Sequence, residues 1–238
     1  GLKTVVITNV KNSSITNFSD FVIYTEAGAE IGVAATKSFS SQITVFLAVI
    51  AKIKFNNNKN DFFANNLINK FNCLGKLINK EIIKDDKSEN YKNFLNKEKY
   101  FFIGRDVDAT LSLEGALKLK EISYVHAEGY PAGELKHGTL SLIDNNSMII
   151  AIITQKHILE KSLNAVHEAK ARGASVLIIS QYDLTSHADC FIKLLSDDEL
   201  LSPILAMIPM QLLAYHLSKS KGYDPDKPRN LAKSVTVE

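Results

Sequence analysis

The chain has 238 residues, 45% of them hydrophobic and 23% charged, and 28 Lys and Arg stand against 26 Asp and Glu for a formal net charge of +2. That apolar content excludes disorder over the whole length and suffices for one large domain or two small ones, while a charge so near zero supplies no global field for nucleic acid. The two cysteines, Cys73 and Cys190, are far apart and match no disulfide framework or zinc spacing, which fits a reducing cytoplasm.

From the N-terminus, β-branched runs predict strands at 4–8 and 21–24, followed by helices at 38–54 and 61–79 with Ser38 and Asp61 as candidate N-caps. The connection 25–37 lies between a strand and a helix, where open α/β sheets place ligands. Its backbone amides could approach a sugar or a phosphate, or it could be a plain βα loop. The apolar stretch 43–51 is shorter than the roughly 18 to 20 residues of a membrane span and predicts a buried helix. The segment 55–99, rich in Phe, Ile, Asn and Lys, predicts exposed surface, and its polar part from 85 to 99 a boundary.

Beyond that boundary, strands are expected at 100–104, 148–154, 176–180 and 191–194. Helices are expected at 111–125, 157–172 and 202–222, with a shorter one near 134–142 and with Gly173 and Gly222 as C-caps. This alternation predicts an α/β protein of two doubly wound parallel-sheet units. Residues 1–84 form the first, 85–99 a linker, 100–222 the second, and 223–238, with Pro225 and Pro228, an extended C-terminal tail. Two strands leave sheet edge and helix faces uncovered, so the first unit is incomplete and further strands are expected upstream of Gly1. An opening strand with no Met and no basic-then-apolar leader predicts the inside of a longer protein without a signal peptide.

In the helix at 111–125, Glu114, Lys118 and Glu121 fall at i, i+4 and i+7 and share one face. Such a stripe is either a solvated face with a salt bridge or, framed by Leu113 and Leu117 on one side and Leu111 and Ile122 on the other, a desolvated set poised for proton transfer. The turn at 126–138 gathers His126, Glu128, Glu134, Lys136 and His137 around Gly129, Pro131 and Gly133, a density that suits a site or an ordinary surface loop. It has no metal-ligand spacing. In the tail, Lys233 is either a free-swinging surface amine or, if Leu231, Val235 and Val237 bury the segment, a desolvated amine able to attack a carbonyl.

Five segments together, 30–37 (EIGVAATK), 113–123 (LEGALKLKEIS), 126–128 (HAE), 133–138 (GELKHG) and 228–238 (PRNLAKSVTVE), resemble the sugar-isomerase (SIS) half of the isomerising glutamine:fructose-6-phosphate aminotransferases, the glucosamine-6-phosphate synthases. The resemblance runs from Gly1 to Glu238, and the tail motif is the most specific part of it. It implies paired SIS subdomains that convert fructose 6-phosphate and ammonia to glucosamine 6-phosphate. It also implies an N-terminal glutaminase domain as the source of the ammonia, a homodimer, and no metal or organic cofactor.

By the same resemblance, Lys233 corresponds to the lysine that forms a Schiff base with the open-chain ketose, and Glu121 to the base that moves a proton between C1 and C2. His137 resembles the histidine that opens the sugar ring, reaching the site of the neighbouring subunit. Lys118, counted with the catalytic groups, and Glu114, counted with the substrate-binding ones, resemble their helix partners. Val33 and Ala232 match positions whose backbones line the sugar, and Ala35 departs from a hydroxyl residue found in many members. The family's Ser/Thr-rich phosphate loop and its N-terminal cysteine nucleophile have no counterpart here, which implies no glutamine hydrolysis and a weak grip on phosphate by these residues alone. Two other readings stay open: a SIS module that senses a sugar phosphate without chemistry, and an inactive truncated fragment.

Overall fold

The computed structural model describes residues 1–59, 61–86 and 91–234. They fall into two units, Gly1–Gly75 and Lys76–Glu238, and the division lies inside a helix.

In the first unit, β1 (Val5–Thr8) and β2 (Phe21–Tyr24) pair in parallel, Val5 opposite Phe21 and Thr8 opposite Tyr24. The Asp20 carboxylate pins the start of this ladder by accepting the Thr4 N–H at 2.8 Å and the Lys3 ammonium at 2.9 Å. Helix α1 (Lys37–Asn57) follows, and α2 (Phe62–Asp85) crosses into the second unit. Asp61 caps α2 as expected, its Oδ1 accepting the Ala64 N–H at 2.9 Å. Ser38 does not cap α1. The Glu30 carboxylate takes that place, accepting the N–H of Thr36 at 2.9 Å and of Ser38 at 3.2 Å, because an anion at a helix start meets both orphan donors and the helix dipole.

Helix α1 corrects the expectation of a buried helix: Ala51 is its one buried residue, and Phe46, Ile50 and Ile53 are exposed. A two-stranded sheet has too little face to cover six turns of helix. By length and composition alone, α1 is also the one described helix able to cross a membrane. Ala51, Ala64 and Leu67, with Leu47, Phe55, Phe63 and Phe71, make a small core between α1 and α2, so part of the segment expected to be surface is interior.

The second unit is a five-stranded parallel sheet of β3 (Lys99–Gly104), β4 (Ala127–Pro131), β5 (Ser147–Ile152), β6 (Ser175–Ser180) and β7 (Cys190–Lys193), in the order β4-β3-β5-β6-β7. Strand β5 is buried along its whole length, as the continuous apolar run of a doubly covered parallel strand requires. The helices are α3 (Val107–Ser123), α4 (Leu159–Lys170) and α5 (Ser202–Ser220). On one face Phe101, Ile103, Ile149 and Ile178 pack with Leu163, Val166 and Ala169 of α4. On the other, Gly115 of α3 lets Met210 of α5 and the ring of Phe102 approach so closely that an added Cβ would stand 2.4 Å and 2.8 Å from them.

Strand β4 lies where a flexible turn was expected. Gly129 hides it: an added Cβ there would come within 2.7 Å of the backbone of Leu113, so the strand's side-chain signal is given up for close contact with α3. The short helix near 134–142 is two 3-10 turns, Glu134–His137 and Thr139–Leu142, because Gly138 at φ 147° breaks it. Gly173 and Gly222 have the positive φ expected of C-caps, 91° and 74°.

Helix α2 runs past its expected end at Asn79 because tertiary contacts hold its last turns. Glu81 is fully buried, paired with Lys84, and accepts the Leu195 N–H at 2.9 Å. Tyr91 and Phe94 are buried too, Tyr91 stacked 5.3 Å from His216 and the Phe94 carbonyl accepting the Tyr100 hydroxyl at 2.8 Å. Burial beside Glu81 pushes the Asp85 carboxyl up to about 7, against the pull of Lys84. The folded state therefore holds a proton that the unfolded chain has already released, and stability falls as pH rises from about 4 to about 7. Urea denaturation between pH 5 and pH 8 should show this loss in the native chain, and a flatter profile in Asp85→Asn; an equal slope in both would contradict it.

Candidate active site

The sheet order places the topological switch between β3 and β5, whose carboxyl ends bound the crevice that open α/β sheets use for ligands. In this unit a side chain of the protein itself lies there. Asp108, in the first turn of α3, accepts the Thr154 N–H at 2.7 Å and the Thr154 hydroxyl at 2.6 Å, and burial raises its carboxyl to about 6. No local pattern signals this pair, which joins residues 46 positions apart.

Further along the same helix, α3 brings Glu114, Lys118 and Glu121 together. The Lys118 ammonium stands 2.7 Å from Glu121 Oε2 and 3.3 Å from Glu114 Oε1, and its side chain is only 4% exposed. A buried cation between two carboxylates, each one helical turn from it, fixes the position of all three. The apolar frame is one-sided: Leu111 and Ile122, on the side where the sheet and α5 pack on this helix, are buried, whereas Leu113 and Leu117 are exposed. Glu114 and Glu121 are themselves only partly exposed, 15% and 22%.

At the end of α3 stands Tyr124, left-handed at φ 56°, a residue the sequence analysis did not single out. Its hydroxyl accepts the backbone N–H of Arg229 at 2.7 Å, and the Arg229 guanidinium lies 4.3 Å over its ring. The tail is therefore fastened to the helix that carries the charged trio. Further along, Leu231, Ala232 and Lys233 are exposed, so of the two readings open for the Lys233 amine the structure shows the surface one: this stretch has no regular structure, and Leu231 keeps 47% of its surface. Val235 and Val237 lie outside the described residues.

His137 ends the turn Glu134–His137, anchored by fully buried Leu135, and is itself exposed, with no described hydrogen bond or ion pair to the trio. Val33 and Ala35 are half-buried in the loop before α1 of the first unit. Beside the trio, β4 presents a further polar chain: His126 Nε2 lies 2.7 Å from Glu128 Oε1, and the Tyr130 hydroxyl donates to the same carboxylate, holding it below the usual carboxylate range. Among the described residues, no three His, Cys, Asp or Glu side chains group as a metal site.

A parallel sheet of this order, with its polar residues on the helix after its first strand, defines the class. The SIS domain model matches residues 1–52 and 93–219, and the chain belongs to the SIS domain family. Within it, the chain is similar to the isomerising glutamine–fructose-6-phosphate aminotransferases of Thermococcus kodakarensis, 43% identical over all of this chain and 40% of that protein, and of Escherichia coli K12, 40% identical over the same shares. Among solved structures it is similar to the C-terminal domain of glucosamine-fructose-6-phosphate aminotransferase from Francisella tularensis, with TM-score 0.85 and 36% identity over 95% of this chain and 65% of that one. The chain spans about 40% of the length of the curated relatives it matches.

Proposed function

We propose that this chain is the sugar-isomerase part of an enzyme that converts fructose 6-phosphate and glutamine-derived ammonia to glucosamine 6-phosphate. The observation that carries the reading is the fastening of the Lys233-bearing tail to the end of α3, whose last two turns hold Lys118 and Glu121. Residues 1–84 serve as the C-terminal part of a first SIS subdomain, 100–222 as the second, and 223–238 as the active-site tail. Further strands of the first subdomain cover the open face of α1, a glutaminase domain supplies ammonia, and the protein works in the cytoplasm as a homodimer.

The chemistry follows from the residue types. The Lys233 amine adds to the C2 carbonyl of the open-chain ketose and expels water, giving an imine. Ammonia adds to the same carbon and releases the lysine. Glu121 then takes a proton from C1 and returns one to C2, leaving an aldehyde at C1 and an amine at C2. Lys118 holds the Glu121 carboxylate in place, Glu114 holds Lys118, and His137 opens the sugar ring from the neighbouring subunit. Backbone at Ala232, in the tail, lines the sugar.

The test is formation of glucosamine 6-phosphate by the whole protein from fructose 6-phosphate and glutamine or ammonium. Turnover supports the reading. Saturable binding of fructose 6-phosphate with no product from either nitrogen source would overturn it in favour of a sugar-phosphate sensor.

A further inference from the structure

Tyr124 is held in a conformation that its residue type disfavours. A bulky residue at φ 56° is strained and persists only where its surroundings demand it. Here they do, because the left-handed turn swings the ring off the end of α3 into the path of the tail. Tyr223 packs on the ring with centroids 4.7 Å apart, the Arg229 guanidinium lies 4.3 Å over it, and the Arg229 N–H ends on its hydroxyl at 2.7 Å. The stretch between folds on itself: the Tyr223 N–H bonds the Ser218 carbonyl at 3.0 Å, the Asp226 N–H bonds Asp224 Oδ1 at 3.0 Å, and Pro228 is buried. The tail is thus gathered on one side chain before it runs on.

The consequence is a matter of reach. Lys233 lies four positions past Arg229, so its Cα stays within about 14 Å of that anchor. Glu121 is three positions before Tyr124 on the same helix, about 4.5 Å back along its axis. Freed from Tyr124, the tail would pivot from the end of α5 at Ser220, with 13 residues of slack before Lys233. Effective concentration falling as the −3/2 power of free chain length gives about a sixfold dilution of the amine at the α3 end, before any loss of orientation.

We propose that Tyr124 is a positioning residue that sets where the tail leaves α3, and so presents the Lys233 amine to a sugar phosphate held beside Glu121. It acts through Arg229 and touches no substrate. The inference rests on the reading that Lys233 and Glu121 perform the chemistry, and it adds a role that neither residue can fill alone.

The test uses the whole protein, saturating fructose 6-phosphate and borohydride, following the rate at which a reduced adduct accumulates on the Lys233 peptide. Tyr124→Ala should slow adduct formation about tenfold and raise hydrogen exchange in residues 223–234, while β3, β5 and β6 keep their protection. Tyr124→Phe keeps the stack and loses only the hydroxyl acceptor, so it should recover part of the rate and remain about two- to fivefold slow. Adduct formation at the native rate in both variants would overturn the inference. Absence of any Lys233 adduct in the native protein would instead overturn the functional reading on which it rests.

Discussion

Replacing Lys233 with alanine in the whole protein should lower glucosamine 6-phosphate formation by about 1,000-fold or more, since the positioned amine that forms the enzyme-bound imine is gone. Lys233→Arg should be as inactive, because a guanidinium keeps the charge but is never a free amine at neutral pH. Lys233 is exposed, and a surface substitution of this kind shifts stability by no more than about 0.5 kcal/mol, so the loss can be assigned to chemistry. Product formation at saturating fructose 6-phosphate, set beside a denaturation curve for each variant, checks both parts. Activity within tenfold of native in Lys233→Arg would contradict an imine at this position.

The second large effect belongs to Glu121. Glu121→Gln should slow the conversion by about 100- to 10,000-fold, the usual contribution of a positioned general base. The substitution keeps shape and leaves an amide oxygen for Lys118 to donate to, while Glu114 remains 3.3 Å from the same ammonium, so the buried cation is not stranded. The imine should still form, and only the carbon-bound proton should stay put. Exchange of the C1 hydrogen with deuterated solvent, followed by NMR, separates the steps: Glu121→Gln should lose exchange and keep the borohydride adduct. Exchange at the parent rate would remove Glu121 from the role of base.

The parts of the fold legible in the sequence are those whose signal is local. The expected bounds match β2 residue for residue, and β3, β5 and β6 within a residue or two, the last three because parallel strands covered on both faces are continuous β-branched and aromatic runs. The trio on α3 was legible for the same reason, since helical spacing alone puts Glu114, Lys118 and Glu121 on one face. What escaped depends on partners distant in the chain. β4 carries Gly129 where a strand former was expected, because α3 presses on it. The last turns of α2 are helical through Glu81 and its bond to Leu195, 114 positions away. The Tyr124 anchor joins residues 105 apart through a left-handed tyrosine, which no propensity favours. Residue types left Lys233 and His137 open between a surface and a site, resemblance supplied their roles, and the structure shows both exposed.

The central claim is that the tail lysine bonds the sugar, and borohydride reduction of the whole protein with fructose 6-phosphate, followed by peptide mapping, addresses it most directly. The expected product is one reduced hexose-phosphate adduct on Lys233, absent without sugar or without borohydride. An active protein that yields no adduct, or one whose adduct maps to Lys118 or another lysine, would contradict the claim.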